Sequence, residues 1–159
     1  MKNGVKPIPE GHHTITPHLV VRGADQAIAF YKRALGAQEL CRSPGPDGKS
    51  IIHAELKIGD SVLFVCDEFP EMGSRSPQSL GGTAVTINLR VEDVDAAFQR
   101  VVEAGGKATM PPADMFWGDR YAKFIDPFGH SWAMATHKED VSPEEVNRRA
   151  QAFFAQMGK

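Results

Sequence analysis

Two stretches, TPHLVVRGADQAIAFYKRALGA (16–37) and TINLRVEDVDAAFQRVVEAGG (86–106), decide the fold, because they are two copies of one unit. Each opens with an alternating strand pattern, crosses a short polar turn and enters a helix. Ala27, Ile28, Phe30, Tyr31 and Ala34 make one apolar helical face, and Val94, Ala97, Phe98, Val101 and Val102 make the other. Both helices stop near glycine: Gly36 in the first, Gly105 and Gly106 in the second. The likeness runs on into KIGDSVLFV (57–65) and DPFGHSWAM (126–134), where Gly59 and Gly129 are 70 positions apart, the separation of Thr16 and Thr86.

Each unit therefore reads strand, helix, then three strands. The first has strands over 38–43, 50–58 and 61–67, with SPGPDGK as a hairpin connection. The second has strands over 107–110, 120–125 and 130–136, with PPADMFWGD as a loop. The organisation that follows is an N-terminal arm (1–13), a first βαβββ unit (14–68), a linker or lid without periodicity (69–83) and a second βαβββ unit (84–137). A last helix (142–157) has Ser142 as cap, Pro143 at its first position and Glu145 completing a capping box. Val146, Ala150, Phe153, Phe154 and Met157 form its apolar stripe, which is expected to be buried on its own chain or on a second subunit.

Composition narrows the function classes. A length of 159 residues and a formal charge of -2, with acids and bases interspersed, give no basic stripe for nucleic acid and no polybasic patch for a membrane. No apolar run approaches the roughly 20 residues of a membrane span, and the first residues lack the apolar stretch of a secretory signal, so a cytoplasmic protein is expected. Cys41 and Cys66 have neither the spacing of a metal knuckle nor the number of a disulfide framework, and are expected as buried or half-buried thiols. No P-loop, nucleophile elbow, dinucleotide fingerprint or HExxH is present.

The repeated unit, with TPHLVVRGADQAIAFYKRALGA, HAELKIGDSVLFVCDE (53–68), MFWGDRYAKFIDPFGHSWAMATH (115–137) and EDVSPEE (139–145), resembles the vicinal oxygen chelate superfamily of glyoxalases, extradiol dioxygenases and bleomycin-resistance proteins, and most closely its PhnB-like branch. The resemblance implies an α+β fold in which two βαβββ units each curl a mixed sheet into half a cup, enclosing a cavity, and it implies a homodimer. In metal-using members the ligands come from the first and last strand of each unit. Carried over, those places fall on Thr16 and Leu63 in the first unit and on Thr86 and Ala133 in the second. Two threonines, a leucine and an alanine cannot repay the dehydration of a divalent cation. No cofactor is therefore expected there, the alternative being a divalent metal such as Zn, Ni, Mn or Fe at a displaced site.

Alternation names what should line the cavity instead. His18 accompanies Thr16, while Asn88 and Arg90 accompany Thr86; Leu63 brings Ser61, Val65 and Asp67, leaving Val62 and Phe64 on the helix side. His18 is the candidate acid, base or ligand. His53 and Glu55, on one face of IIHAELKIG, either lie in solvent or line the cavity beside His18, where the three could hold a displaced metal. Trp117 and Tyr121 can stack on a planar guest, and Arg120 can clamp an anion. His12 and His13 are expected to be exposed in the arm. The expected function is a metal-free binder sequestering a small amphipathic or aromatic molecule, as bleomycin-resistance proteins do. The alternatives are a glyoxalase-like lyase or isomerase (or dioxygenase relative) with displaced ligands, and a metal-free enzyme using His18.

Overall fold

A computed structural model of the chain describes residues 4–158; residues 1–3 of the expected arm lie outside the described residues. The chain divides into two compact units, the first taking it through Ala84 together with 127–130, the second taking Val85–Asp126 and the residues from Ser131 onward.

In the first unit β1 (His18–Val21), α1 (Ala24–Leu35), β2 (Gln38–Pro44), β3 (Ile51–Ile58) and β4 (Ser61–Asp67) follow in order. The second repeats this with β5 (Thr86–Arg90), α3 (Val94–Glu103), β6 (Lys107–Asp114), β7 (Asp119–Ile125) and β8 (Ser131–His137), then adds α4 (Pro143–Met157). The sheets are ordered β1-β4-β3-β2 and β5-β8-β7-β6, each with one parallel pair, first strand against last. This is the expected α+β arrangement of two four-stranded mixed sheets. The segment expected as a featureless linker belongs to the first compact unit and carries a 3-10 turn (Pro70–Met72) and the short α2 (Pro77–Leu80). Ser76 caps α2, and Glu68 accepts from Arg22, Ser76 and Ser79, which holds its carboxyl at about 2.

Helices α1 and α3 each cover one face of their own sheet. Ala27, Ile28, Phe30, Tyr31 and Ala34 are all buried, as periodicity requires, against Leu19, Val21, Ala54, Leu56, Leu63 and Val65. In the second unit Val94, Ala97, Phe98 and Val101 are buried, but Val102 stays exposed, one step off the stripe. Phe124 and Trp132 stack with centroids 6.1 Å apart, and the Trp132 indole N–H donates to the buried Asp126 carboxylate at 2.8 Å.

The start of α1 is satisfied from a distance. Its N-cap, Gly23, has no side chain, so the Asp67 carboxylate at the end of β4 accepts from the Gly23 and Ala24 amides at 3.0 and 2.8 Å, and from the Ile51 amide at 2.8 Å. In the second unit the Thr136 hydroxyl accepts from the Val94 amide at 2.9 Å while donating to the Val91 carbonyl.

Three expectations are corrected or narrowed. β6 continues through Pro111 and Pro112, which together oppose the single residue Ala122 at a register shift on an edge strand, so that neither interrupts a regular ladder pair. The chain does not itself cover the α4 stripe: Phe154 and Met157 are 62% and 69% exposed within it. His12 is half-buried rather than exposed, its ring 6.1 Å from that of Phe64.

Replacing Asp67 with Ala strands three backbone N–H groups, and is expected to lower the unfolding free energy by about 1–3 kcal/mol; Thr136→Val should cost about 0.5–2 kcal/mol. Urea denaturation with an unchanged slope measures both.

Candidate functional site

Strand register decides which side chains face away from the helices. In the first unit His18 pairs with Phe64 across β1 and β4, Phe64 with Glu55 across β4 and β3, and Glu55 with Cys41 across β3 and β2. Paired residues share a face, so His18, Phe64, Glu55 and Cys41 form one row across the sheet. His53 stands on the same face of β3, opposite Ser43. The expectation that Leu63, Val65 and Asp67 accompany His18 is overturned: they pair with or flank Leu19, Val21 and Leu56 on the helix side, while Val62, Phe64 and Cys66 accompany His18. The cause is one residue. Asn88 pairs with Ala133 in the second unit but His18 pairs with Phe64 in the first, a separation of 69 instead of 70, and a slip of one reverses every side chain.

The metal positions of the resembled family must be read again on this register. They hold Thr16 and Phe64 in the first unit, Thr86 and Ala133 in the second. A phenyl ring is no better a donor than leucine. The Thr86 hydroxyl instead meets the Ser131 hydroxyl at 3.2 Å. These residues do not fit a chelated cation.

What the first unit does gather is imidazoles around Phe64. Ring centroids of His53, His18 and His12 lie 4.8, 5.9 and 6.1 Å from it. His53 Nε2 is 3.3 Å from Glu55, and His12 Nε2 is 3.6 Å from the other oxygen of the same carboxylate. His18 and His53 are 6.5 Å apart; partial burial, then the charge of His53, holds the His18 imidazole below its usual range.

In the second unit the corresponding face is arranged around a buried carboxylate. Asp119, 5% exposed, accepts from the Arg90 guanidinium at 2.7 Å, from the Trp117 indole at 3.1 Å and from His137 Nδ1 at 3.0 Å. Burial alone raises its pKa, but the hydrogen bonds from His137, Arg90 and Trp117 outweigh it and hold the carboxyl below the ordinary range. His137, bonded to Asp119 and through Nε2 to Asp140 at 2.9 Å, is pushed up. Trp117 meets Tyr121 edge to face at 5.4 Å. The hairpin tip that presents Trp117 depends on Gly118: its φ is 98°, and a Cβ there would run into the Glu139 carbonyl.

Of the residues named from sequence, Arg90 and Tyr121 share a row with Ala135, and Asn88 lies one row along with Lys123. Arg120 is elsewhere. It pairs with Thr136, projects to the helix side, and is held by Asp95 at 2.6 and 2.8 Å and by Asp114 at 3.1 Å. The residue overlooked is Asp119, which alternation in GDRY puts on the face of Tyr121 and opposite Arg120. Cys66 is buried as expected, but Cys41, expected to be buried or half-buried, is exposed.

Asp119→Asn should return the His137 titration toward the ordinary imidazole value, followed by the ring-proton chemical shifts against pH. A raised folded value stabilises fully below the unfolded value of about 6.5 and is lost as pH rises through the folded one, so this contribution to stability should fade on the alkaline side in wild type and be smaller in the variant. A His137 midpoint that ignores the Asp119 substitution would refute the coupling.

Comparison with known proteins places the chain. An uncharacterised protein of Mycobacterium tuberculosis is 47% identical over 135 residues, covering 83% of this chain and 79% of its own. Among solved structures, TioX from Micromonospora sp. ML1 superposes with a TM-score of 0.64 at 28% identity, over 79% of this chain and 98% of that one. FosX, a fosfomycin resistance protein of Listeria monocytogenes crystallised with Mn(II) and sulfate, shares the fold with a TM-score of 0.61 at 19% identity, over 87% of this chain and 97% of that one. The profile of the Glyoxalase/Bleomycin resistance protein/Dioxygenase superfamily matches residues 11–134, and the chain belongs to that superfamily.

Proposed function

We propose that the protein binds a small planar, amphipathic molecule without a metal at the strand positions its superfamily uses, with Trp117, Tyr121 and Arg90 making the contacts. The observation that carries this reading is the buried Asp119. One carboxylate fixes the indole of Trp117, the guanidinium of Arg90 and the imidazole of His137, so they need little further ordering when a guest arrives. The Trp117–Tyr121 pair offers two ring faces nearly at right angles, and each face can stack on an aromatic guest. Arg90 is 65% exposed at its side chain and gives only Nη1 to Asp119, which leaves further N–H donors for a carboxylate or phenolate on the same guest. Aromatic surface beside a fixed cation selects an aromatic acid or phenol over an aliphatic acid.

Fold alone does not choose this role, since one architecture carries many chemistries. The choice rests on donors missing from Thr16, Phe64, Thr86 and Ala133, and on side chains already fixed around Asp119.

A thermal-shift screen of aromatic and aliphatic carboxylates, followed by calorimetry on the hits, tests it. Trp117→Ala is expected to weaken an aromatic ligand by roughly tenfold or more, about 1.4 kcal/mol. Arg120→Ala, on the helix side, should leave affinity unchanged. Equal affinity in wild type, Trp117→Ala and Tyr121→Ala would refute the assignment.

A further inference from the structure

The first unit holds a constellation of its own. Cys41 on β2 and His53 and Glu55 on β3 each offer one ligand atom, and these atoms all lie within 4.8 Å of one another. We infer that Cys41, His53 and Glu55 form a site for one borderline-soft divalent cation of the Zn(II) type, with a fourth position left for water or a ligand.

Backbone geometry supplies the first reason. Gln38 and Glu39 pair regularly with Lys57 and Leu56, so the next residue, Leu40, would ordinarily stand opposite Glu55. A bulge intervenes, Leu40 is left over, and Cys41 takes that place. Without the bulge the thiol would point to the helix side. With it, the thiol joins a carboxylate directly opposite and an imidazole two residues along the same strand.

Distances supply the second. His53 Nε2 and Glu55 Oε1 are 3.3 Å apart, close to the edge of about 3.4 Å that a tetrahedron with metal–ligand bonds near 2.1 Å requires. The Cys41 ligand atom lies within 4.8 Å of both, on an exposed side chain whose χ1 rotation adjusts that distance.

Surroundings supply the third. His12 Nε2 lies 3.6 Å from Glu55 Oε2, the oxygen not shared with His53, at ion-pair rather than hydrogen-bond distance. His12 Nδ1 is buried and, among the described residues, has no hydrogen-bond partner. Phe64 forms an apolar floor 4.8 Å from the His53 ring, which strengthens electrostatic binding above it.

Donor chemistry names the cation. One thiolate, one neutral imidazole and one carboxylate disfavour Mg and Ca, which take oxygen ligands, and suit Zn(II) or Co(II). Two anionic donors balance a divalent charge. Three protein ligands leave a tetrahedral site open, the arrangement that binds and polarises a fourth group. These residues differ from the strand positions the superfamily uses, so the site does not depend on them.

The test uses the full-length protein stripped with a chelator and titrated with Co(II). Wild type should develop a thiolate-to-Co(II) charge-transfer band saturating at one ion per chain, and Zn(II) should displace it. Cys41→Ser should abolish the band. Cys66→Ser should keep it, since the Cys66 thiol is buried and pushed up by desolvation. Glu55→Gln should weaken binding roughly tenfold or more. Zn(II) should also protect Cys41 from alkylation, read by peptide mass. Trp117→Ala should bind Co(II) as wild type does, so the metal site and the aromatic site stand or fall separately. Absence of a band in wild type, or its survival in Cys41→Ser, would overturn the inference.

Discussion

Each unit depends on one recurrent interaction, in which the last strand ends in a side-chain oxygen that caps the helix following the first strand. Asp67 does this for α1 and Thr136 for α3. The bond fixes the parallel pair of first and last strand in one register, because sliding by a residue would carry the acceptor to the wrong face and strand the helix amides. Everything downstream inherits that register: which residues lie under the helix, and which are left to meet a ligand. Asp67 and Thr136 are 69 apart, as are Phe64 and Ala133, so the cap and the strand ladder agree.

Two βαβββ units and their helical faces were legible in the sequence because burial on one face imposes periods of 3.6 and 2 that need no knowledge of partners. The relative register of the two copies was not. Glycine landmarks gave 70, but β4 follows a two-residue turn at Gly59–Asp60 whereas β8 follows a longer one from Asp126, and turn length is invisible to hydrophobic pattern. The slip moved Leu63 and Phe64 to opposite faces from those expected. Pro111 and Pro112 argue for a loop by their missing donors, yet on this edge strand they together oppose the single residue Ala122, where no regular ladder pair is interrupted. The stripe on α4 is plain in the sequence, but a pattern does not say what covers it, and within the chain Phe154 and Met157 stand exposed.

The site was legible by residue type more than by position. GDRY offers an aspartate and an arginine, and because guanidinium commonly binds anions the sequence points first to Arg120. Strand alternation favours Asp119 instead. Arg120 already has two carboxylates, from Asp95 and Asp114, and its charge is spent within the protein; Asp119 gathers three donors and orients them. A buried acceptor of this kind matters less for what it touches in a ligand than for what it prevents its neighbours from doing.

The two units carry different side chains on one scaffold. On the face away from the helix, the row through Ala135 carries Arg90 and Tyr121, while the row through Phe64 carries His18, Glu55 and Cys41. Backbone hydrogen bonding constrains neither row, since side chains on that face touch neither the helix nor its cap. This is why donors can vanish from the strand positions that hold a metal in relatives of the fold without harm to folding. It is also why a single inserted residue, Leu40, suffices to bring a thiol to a histidine and a glutamate: β2 is an edge strand, free to bulge, whereas the same insertion in β4 would break the register on which Asp67 depends.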